Sequence, residues 1–194
     1  MNLFLLSKSA RRSAKYQCNV HVNKMLLEAV QMLYTAWYVN RKSLPSMHRP
    51  LKPFKKIRNH NHPMARWVRK TKNNYRFTLR HAFALAKEYY QRSKKKIKKE
   101  HACVAHLQRL EEWGFPEKET SETYIAKDDL YAIIDVPKGV SPFPLCFGKE
   151  REKYLVKRNG KYSATYSYRS YYKSKEETMK TRFEYPAEKP YFLK

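Results

Sequence analysis

Apolar residues recur with a helical period along the first part of the chain. Between residues 13 and 38 they fall at i, i+3, i+4 and i+7 spacing, which places them along one face of a helix. That face consists of Val22, Met25, Leu26, Ala29, Met32, Leu33 and Ala36. The apolar segment 2–6 before it is short, and its pattern predicts a buried strand or an extended lead-in. We therefore expect a buried start followed by one long amphipathic helix.

The clearest helix start in the sequence is His62-Pro63. Proline suits the first turn of a helix because no N–H donor is needed there, and His62 is the expected cap. From Met64 to Tyr89 apolar and aromatic side chains keep a helical period, which predicts a second long helix ending near Arg92. Basic residues are interleaved with its aromatics. We expect Trp67 and Tyr75 to lie in the core rather than to stack on bases.

The remaining elements are shorter. The pattern predicts a third helix over 100–113, a short strand over 131–136, a hairpin around Asn159-Gly160 and a helix near 166–180. The fold class is thus mainly α, with two long packed helices, short strands and an irregular, aromatic C-terminal extension. We expect a single domain, in which residues 1–113 form a basic helical core and residues 114–194 pack on it.

Positive charge is concentrated in one part of the chain. The protein has 42 Lys and Arg against 17 Asp and Glu, a net charge of +25, and residues 41–100 alone carry +18. A concentration of one sign is typical of a surface that binds nucleic-acid phosphates. We predict double-stranded DNA as the partner, bound through its backbone. The expected contacts are Arg58, His62, Arg66, Arg69, Lys70, Lys72, Arg76 and Arg92.

The first helix carries candidate chemistry. His21, Lys24 and Glu28 fall on one narrow stripe beside the apolar face. An imidazole, an amine and a carboxylate on adjoining turns can tune one another's pKa for proton transfer, or they can simply satisfy one another at the edge of the core.

Metal binding is a weaker alternative. The pairs Cys18/His21 and Cys103/His106 have helical i, i+3 spacing, which would suit a Cys2His2 zinc site. Neither pair sits on a knuckle or a turn with glycine, so we expect no metal and no cofactor.

Several motifs resemble a family of small proteins encoded by large DNA phages and giant viruses. The resemblance covers most of the chain and is carried by Tyr16-Gln-Cys-Asn-Val-His-Val-Asn-Lys-Met-Leu-Leu-Glu28, Asn61-His-Pro63, Trp67-Val-Arg69, Asn74-Tyr75, Glu88-Tyr89, Arg92, Pro142-Phe-Pro144, Tyr168-Arg-Ser-Tyr-Tyr172 and Phe183. Such proteins are often described as similar to the pyrimidine-dimer DNA glycosylase known as endonuclease V. That glycosylase has a helix with a His and, seven residues later, its catalytic Glu, and His21 and Glu28 have this spacing.

The resemblance implies base excision of damaged pyrimidines by a glycosylase/AP lyase. In that mechanism an N-terminal amine attacks the sugar C1′ to form a Schiff base, while the glutamate assists ring opening and strand cleavage by β-elimination. An extruded nucleotide and a kinked duplex accompany the reaction. An initiator Met before Asn is usually retained, so the amine is expected to be that of Met1, with Lys24 as the alternative.

A non-enzymatic function is the second hypothesis. The charge excess also fits a basic virion protein that packages viral DNA or cements the capsid, with other virion proteins as partners. Both hypotheses place the protein in the virion or in the cytoplasm or nucleus of an infected cell. We expect no secretion and no membrane association, because the apolar stretch Leu3–Leu6 is too short for a membrane span or a signal peptide.

Overall fold

The elements of the structure follow the predicted order. The computed structural model describes residues 2–46, 51–93, 100–117, 133–178, 182–183 and 187–194. Its helices are α1 (Ala10–Lys15), α2 (Asn19–Asn40), α3 (Pro63–Lys70), α4 (Lys72–Arg92), α5 (Cys103–Trp113), α6 (Arg151–Tyr154) and α7 (Ala164–Thr178). Its strands are β1 (Ile133–Ile134), β2 (Lys157–Arg158) and β3 (Lys161–Ser163). The predicted mainly α fold class with short strands is confirmed.

The core lies where α2 and α4 pack against each other, with α5 across them. Trp37 of α2 donates its indole N–H to the hydroxyl of Tyr75 in α4 at 3.3 Å, and Tyr75 donates to the Leu110 carbonyl of α5 at 3.4 Å. Trp67 and Tyr75 are both buried, which confirms their expected place in the core. Each polar end of these aromatics therefore has a partner inside the protein.

The first predicted helix is divided into α1 and α2 at residues 16–18. Cys18 is extended, and its N–H donates to the Tyr172 hydroxyl at 2.8 Å. The Arg92 guanidinium donates to the carbonyls of Lys15 and Gln17 at 3.0 and 2.6 Å. These distant side chains satisfy backbone groups that an uninterrupted helix would pair internally, and so they make the break possible.

The second predicted helix is also divided, at Thr71. This residue has the extended dihedrals φ −140° and ψ 155°, and its hydroxyl accepts the N–H of Asn74 at 3.1 Å. Threonine is a common N-cap, so α4 has its own start after α3 ends. His62 caps α3 as predicted, by accepting the Met64 N–H at 3.2 Å, and Pro63 occupies the first turn.

The N-terminal lead-in is buried without forming a strand. Ser13 holds it, because the Ser13 hydroxyl donates to the Phe4 carbonyl at 2.8 Å and accepts the Leu6 N–H at 3.0 Å. Phe4 has a φ of +23°, which is unfavourable for a residue with a side chain. Its ring packs on His21 and Tyr172, with centroids 4.8 and 5.2 Å apart, and this packing fixes the strained backbone.

The C-terminal part forms a small sheet in the order β1-β3-β2. Strands β2 and β3 are antiparallel and joined by Asn159 and Gly160, both at positive φ (50° and 73°), as a type I′ hairpin requires. The predicted hairpin is therefore confirmed. Part of the predicted 131–136 strand, residues 131–132, lies outside the described residues. No helix within the described ranges combines the length and apolarity needed to cross a membrane.

Candidate functional site

The start of the chain contacts Glu28. The Asn2 backbone N–H donates to Glu28 Oε2 at 2.9 Å. The Asn2 side chain is anchored in turn, because its amide donates to the Cys146 carbonyl at 2.9 Å and its oxygen accepts the Leu3 N–H at 2.9 Å. Glu28 is half-buried on α2. One hydrogen bond thus joins residue 2 to a partly accessible carboxylate, and two more fix the Asn2 side chain.

His21 lies in the core behind this contact. Its Nδ1 is 2.8 Å from the Tyr172 hydroxyl and 3.4 Å from the Cys18 sulfur, and only 5% of the residue is exposed. Burial, followed by the charges of Lys24 and Lys175, lowers the pKa of His21 to about 4. The ring is therefore neutral at pH 7, and it shares a hydrogen bond with the Tyr172 hydroxyl, which also accepts the Cys18 N–H.

Lys24 completes the predicted stripe on the solvent side. It is exposed and stands one helical turn before Glu28, so the two side chains share a face of α2. The structure thus places the three predicted residues at three depths: Lys24 at the surface, Glu28 half-buried and His21 in the core. His21 packs on Phe4, which lies two residues after Asn2 in the chain. From this buried position His21 can support the contact between Asn2 and Glu28.

The loop from Ser141 to Cys146, which was not among the predicted site residues, contacts α3, α4 and Asn2. Asn74 binds Ser141 twice, by donating to its hydroxyl at 2.7 Å and accepting its N–H at 3.0 Å. The Trp67 indole donates to the Ser141 carbonyl at 3.2 Å, and its ring lies 4.6 Å from that of Phe143. The same loop supplies the Cys146 carbonyl that holds Asn2. Its sequence signal was the Pro142-Phe143-Pro144 run.

His62 has a structural role at the start of α3. Burial, followed by the positive charge of the amino terminus, lowers its pKa from the ordinary value. With Nδ1 accepting the Met64 N–H, the ring is neutral at pH 7 and caps α3, while its contact with phosphate stays a prediction.

The exposed basic residues follow the outer face of α4. Lys72, Arg76 and Arg80 are exposed at i, i+4 and i+8, and we call them the α4 stripe. Lys70 and Arg58 are exposed as well, whereas Arg66 is half-buried. Positive charge in the first turn of a helix opposes the helix dipole, and α4 has no acidic residue there. Lys72, the member of the stripe in that first turn, is therefore not placed there to stabilise the helix.

Two arginines predicted to bind phosphate are buried instead. Arg69 donates to the His60 carbonyl at 2.6 Å, and burial, followed by the charge of Arg66, lowers its pKa to about 10. Arg92 makes five hydrogen bonds inside the protein, two of them to Glu88. Both residues are less than 10% exposed, so in this structure their guanidinium groups bind inside the protein, and phosphate contact by Arg69 and Arg92 stays a prediction that this burial does not favour.

The two Cys-x-x-His pairs have other partners. His21 binds Tyr172, and His106 Nδ1 is 2.9 Å from the hydroxyl of Tyr34. Across the described part of the chain, no three His, Cys, Asp or Glu side chains lie close enough together to hold a metal ion.

No protein family, curated protein or solved structure matches this chain.

Proposed function

We propose that this protein binds double-stranded DNA and carries a base-excision site of the glycosylase/AP lyase type centred on Glu28. The observation that carries the proposal is the 2.9 Å contact between the Asn2 backbone nitrogen and Glu28 Oε2. Base excision through a Schiff base needs a primary amine beside a carboxylate. Glu28, which is half-buried and hydrogen-bonded to residue 2, supplies the carboxylate of that pair.

Two amines are available to complete it. An α-amine one residue before Asn2 lies within about 4 Å of the Asn2 nitrogen by covalent geometry alone. The Lys24 ammonium is the other, because it stands one turn before Glu28 on the same face. We assign the α-amine the nucleophilic role, as the resemblance implies, with Lys24 as the alternative.

In the proposed reaction the amine attacks C1′ and the damaged base leaves with the electrons of the glycosidic bond. Loss of the amine proton and opening of the sugar ring give an imine. Removal of a C2′ proton then expels the 3′ phosphate by β-elimination. Glu28 is the acid and base for these proton transfers, whereas neutral His21 is a positioning residue that supports the lead-in through Phe4.

The α4 stripe supplies the grip on DNA in this proposal, together with Lys70 and Arg58. All five residues are exposed and basic. Phosphate contacts of this kind position the duplex without reading its sequence, so the choice of damaged base would fall to the Glu28 site.

Strand cleavage at an abasic site in a duplex tests the proposal. We expect Glu28→Gln to slow cleavage at least about 100-fold, because the amide cannot transfer the proton, while affinity for the duplex stays unchanged. Glu112→Gln, an exposed carboxylate on α5, is the matched control and should cleave like the unaltered protein. Equal cleavage by the two variants would exclude Glu28 from the chemistry.

The net charge of +25 favours a second candidate, a non-enzymatic virion protein that packages DNA. A charge of this size neutralises many phosphates without any catalytic group. This function predicts tight, salt-sensitive binding to any duplex and no cleavage at any lesion. Abundance of the protein in purified particles would support it further.

A further inference from the structure

The segment 153–175 has an unusual composition. Its 23 residues include seven Lys and Arg, six Tyr and no Asp or Glu. The sequence pattern predicted a hairpin and a helix here, within the C-terminal extension and outside the main basic segment. In the structure it is the β2-β3 hairpin followed by α7. Basic and aromatic residues interleaved on folded elements are typical of surfaces that bind nucleic acid.

The tip of the hairpin presents its charges to solvent. All five residues from Lys157 to Lys161 are exposed, and three of them are basic. The tip is also braced at its base. The Val156 N–H donates to the Ser167 hydroxyl at 2.9 Å, and the Ser163 hydroxyl donates to Asp135 at 2.7 Å. The hairpin is therefore a fixed projection whose charges need not be ordered when a partner binds.

Aromatic rings hold two of the tip cations. The Arg158 guanidinium lies 4.4 Å from the centre of the Tyr166 ring, and the Lys157 ammonium lies 5.1 Å from the Tyr162 ring. A guanidinium stacked on a ring keeps its N–H groups available at its edge, where they fit phosphate oxygens. Tyr166, at the start of α7, is itself 38% exposed.

We propose that Lys157, Arg158 and Lys161, with Arg158 positioned by Tyr166, form a second contact with the backbone of duplex DNA. The inference rests on the DNA-binding part of the proposed function and is independent of the chemistry at Glu28. Charge complementarity supports this contact, because a rigid basic hairpin in a segment without Asp or Glu from 153 to 175 fits a polyanion. The protein would thus hold the duplex at two places, the α4 stripe and the hairpin.

Binding to a fluorescein-labelled undamaged duplex, measured by anisotropy over a range of salt concentrations, tests this contact. The triple variant Lys157→Gln, Arg158→Gln, Lys161→Gln should bind roughly 10-fold more weakly at 0.1 M salt. Its plot of log K against log salt should be shallower by about 2.7, since three phosphate contacts are lost. The control is Lys8→Gln, Lys15→Gln, Lys87→Gln, which removes the same charge from exposed lysines outside the hairpin and the stripe.

The outcomes separate the inference from the proposed function. If the unaltered protein shows no salt-dependent binding, both fail. If it binds and the hairpin variant equals either the unaltered protein or the control, the hairpin contact is wrong while DNA binding stands. Unfolding curves that match for both variants show that the hairpin residues are not acting through the fold.

A second pair of variants tests the stacking. Tyr166→Phe keeps the ring beneath Arg158 and should bind DNA like the unaltered protein. Tyr166→Ala removes the ring and should weaken binding about 3-fold, because the guanidinium then loses its fixed position. Equal affinities for the two variants would remove Tyr166 from the contact.

Discussion

The two ends of α4 use the same residue type in opposite ways. At the beginning, Arg76 and its neighbours in the α4 stripe extend into solvent. At the other end, Arg92 is 6% exposed and binds Glu88 and the backbone between α1 and α2. The comparison shows that the basic residues of a sequence have to be separated into buried and exposed ones before any of them is assigned to a partner. Arg76 presents its charge to solvent, where a partner could bind it, whereas Arg92 does not.

The largest expected effect is on stability at the buried end. Arg92→Met leaves Glu88 partly buried without its cation and removes the donors to the carbonyls of residues 15 and 17. We expect a loss of about 3–5 kcal/mol in the free energy of unfolding, measured by urea denaturation. Arg76→Met is the matched variant at the exposed end and should change this free energy by less than about 0.5 kcal/mol. Similar losses for the two variants would erase the distinction between the ends of α4.

Lowering the pH tests the buried face of α4, where His81 lies. His81 is fully buried, donates to the Ala10 carbonyl at 3.1 Å and accepts the Gln17 amide at 3.2 Å. Burial lowers the pKa of His81 to about 4, against a backbone hydrogen bond that raises it. The unfolded state binds a proton at His81 more readily than the folded state does. The stability that the neutral ring contributes is therefore complete above pH 6.5 and is lost as the pH falls toward 4.

Urea denaturation at pH 7.0 and pH 4.5 measures this loss. We expect about 2 kcal/mol less stability at pH 4.5 from His81, and a similar amount from His21, whose pKa is also lowered to about 4 by burial. His81→Gln removes its share of this titration and should reduce the pH dependence accordingly. An unchanged pH dependence in that variant would show that His81 is not held neutral by the fold.

At the exposed end the effect should be on DNA rather than on stability. Lys72→Gln, Arg76→Gln, Arg80→Gln is expected to weaken duplex binding roughly 10- to 100-fold at 0.1 M salt and to reduce the salt slope by about 2.7. Anisotropy measures the binding, and urea denaturation should show unchanged or slightly higher stability, since one cation, Lys72, leaves the first turn of α4. Unchanged binding would show that the α4 stripe does not contact DNA.

The smallest expected effect concerns Thr71, the N-cap residue of α4. Thr71→Ala removes the hydroxyl that accepts the Asn74 N–H and should cost about 1 kcal/mol of stability. Thr71→Ser keeps the cap and should cost less than half of that, as urea denaturation would show. If the two substitutions are equally destabilising, the hydroxyl is not what separates α4 from α3.

Local signals in the sequence predicted much of this fold. The helical period of α2, the Pro63 start of α3 and the Asn159-Gly160 turn each depend on residues close in the chain, and the structure contains all three. The break at Thr71 had a local signal as well, a threonine three residues before Asn74. The break at residues 16–18 had none, because the side chains that stabilise it are Arg92 and Tyr172.

The candidate site divides in the same way. The spacing of His21, Lys24 and Glu28 predicted a shared face of α2, but it could not predict their different depths. Those depths depend on the lead-in and on the loop at Cys146, which lies 144 residues from the side chain of Asn2 that it binds. Contacts over such separations are set by tertiary packing, and a period in the sequence carries no information about them.

Trapping with borohydride tests the central claim most directly. The unaltered protein, incubated with a duplex containing an abasic site and then reduced, should form a covalent protein–DNA adduct, because borohydride reduces the imine. Mass spectrometry of the digested adduct should place the bond at the α-amine or at Lys24, and Glu28→Gln should yield far less adduct while binding the duplex equally well. A protein that binds the abasic duplex with a steep salt dependence and yet forms no adduct would contradict base excision and leave the DNA-packaging function.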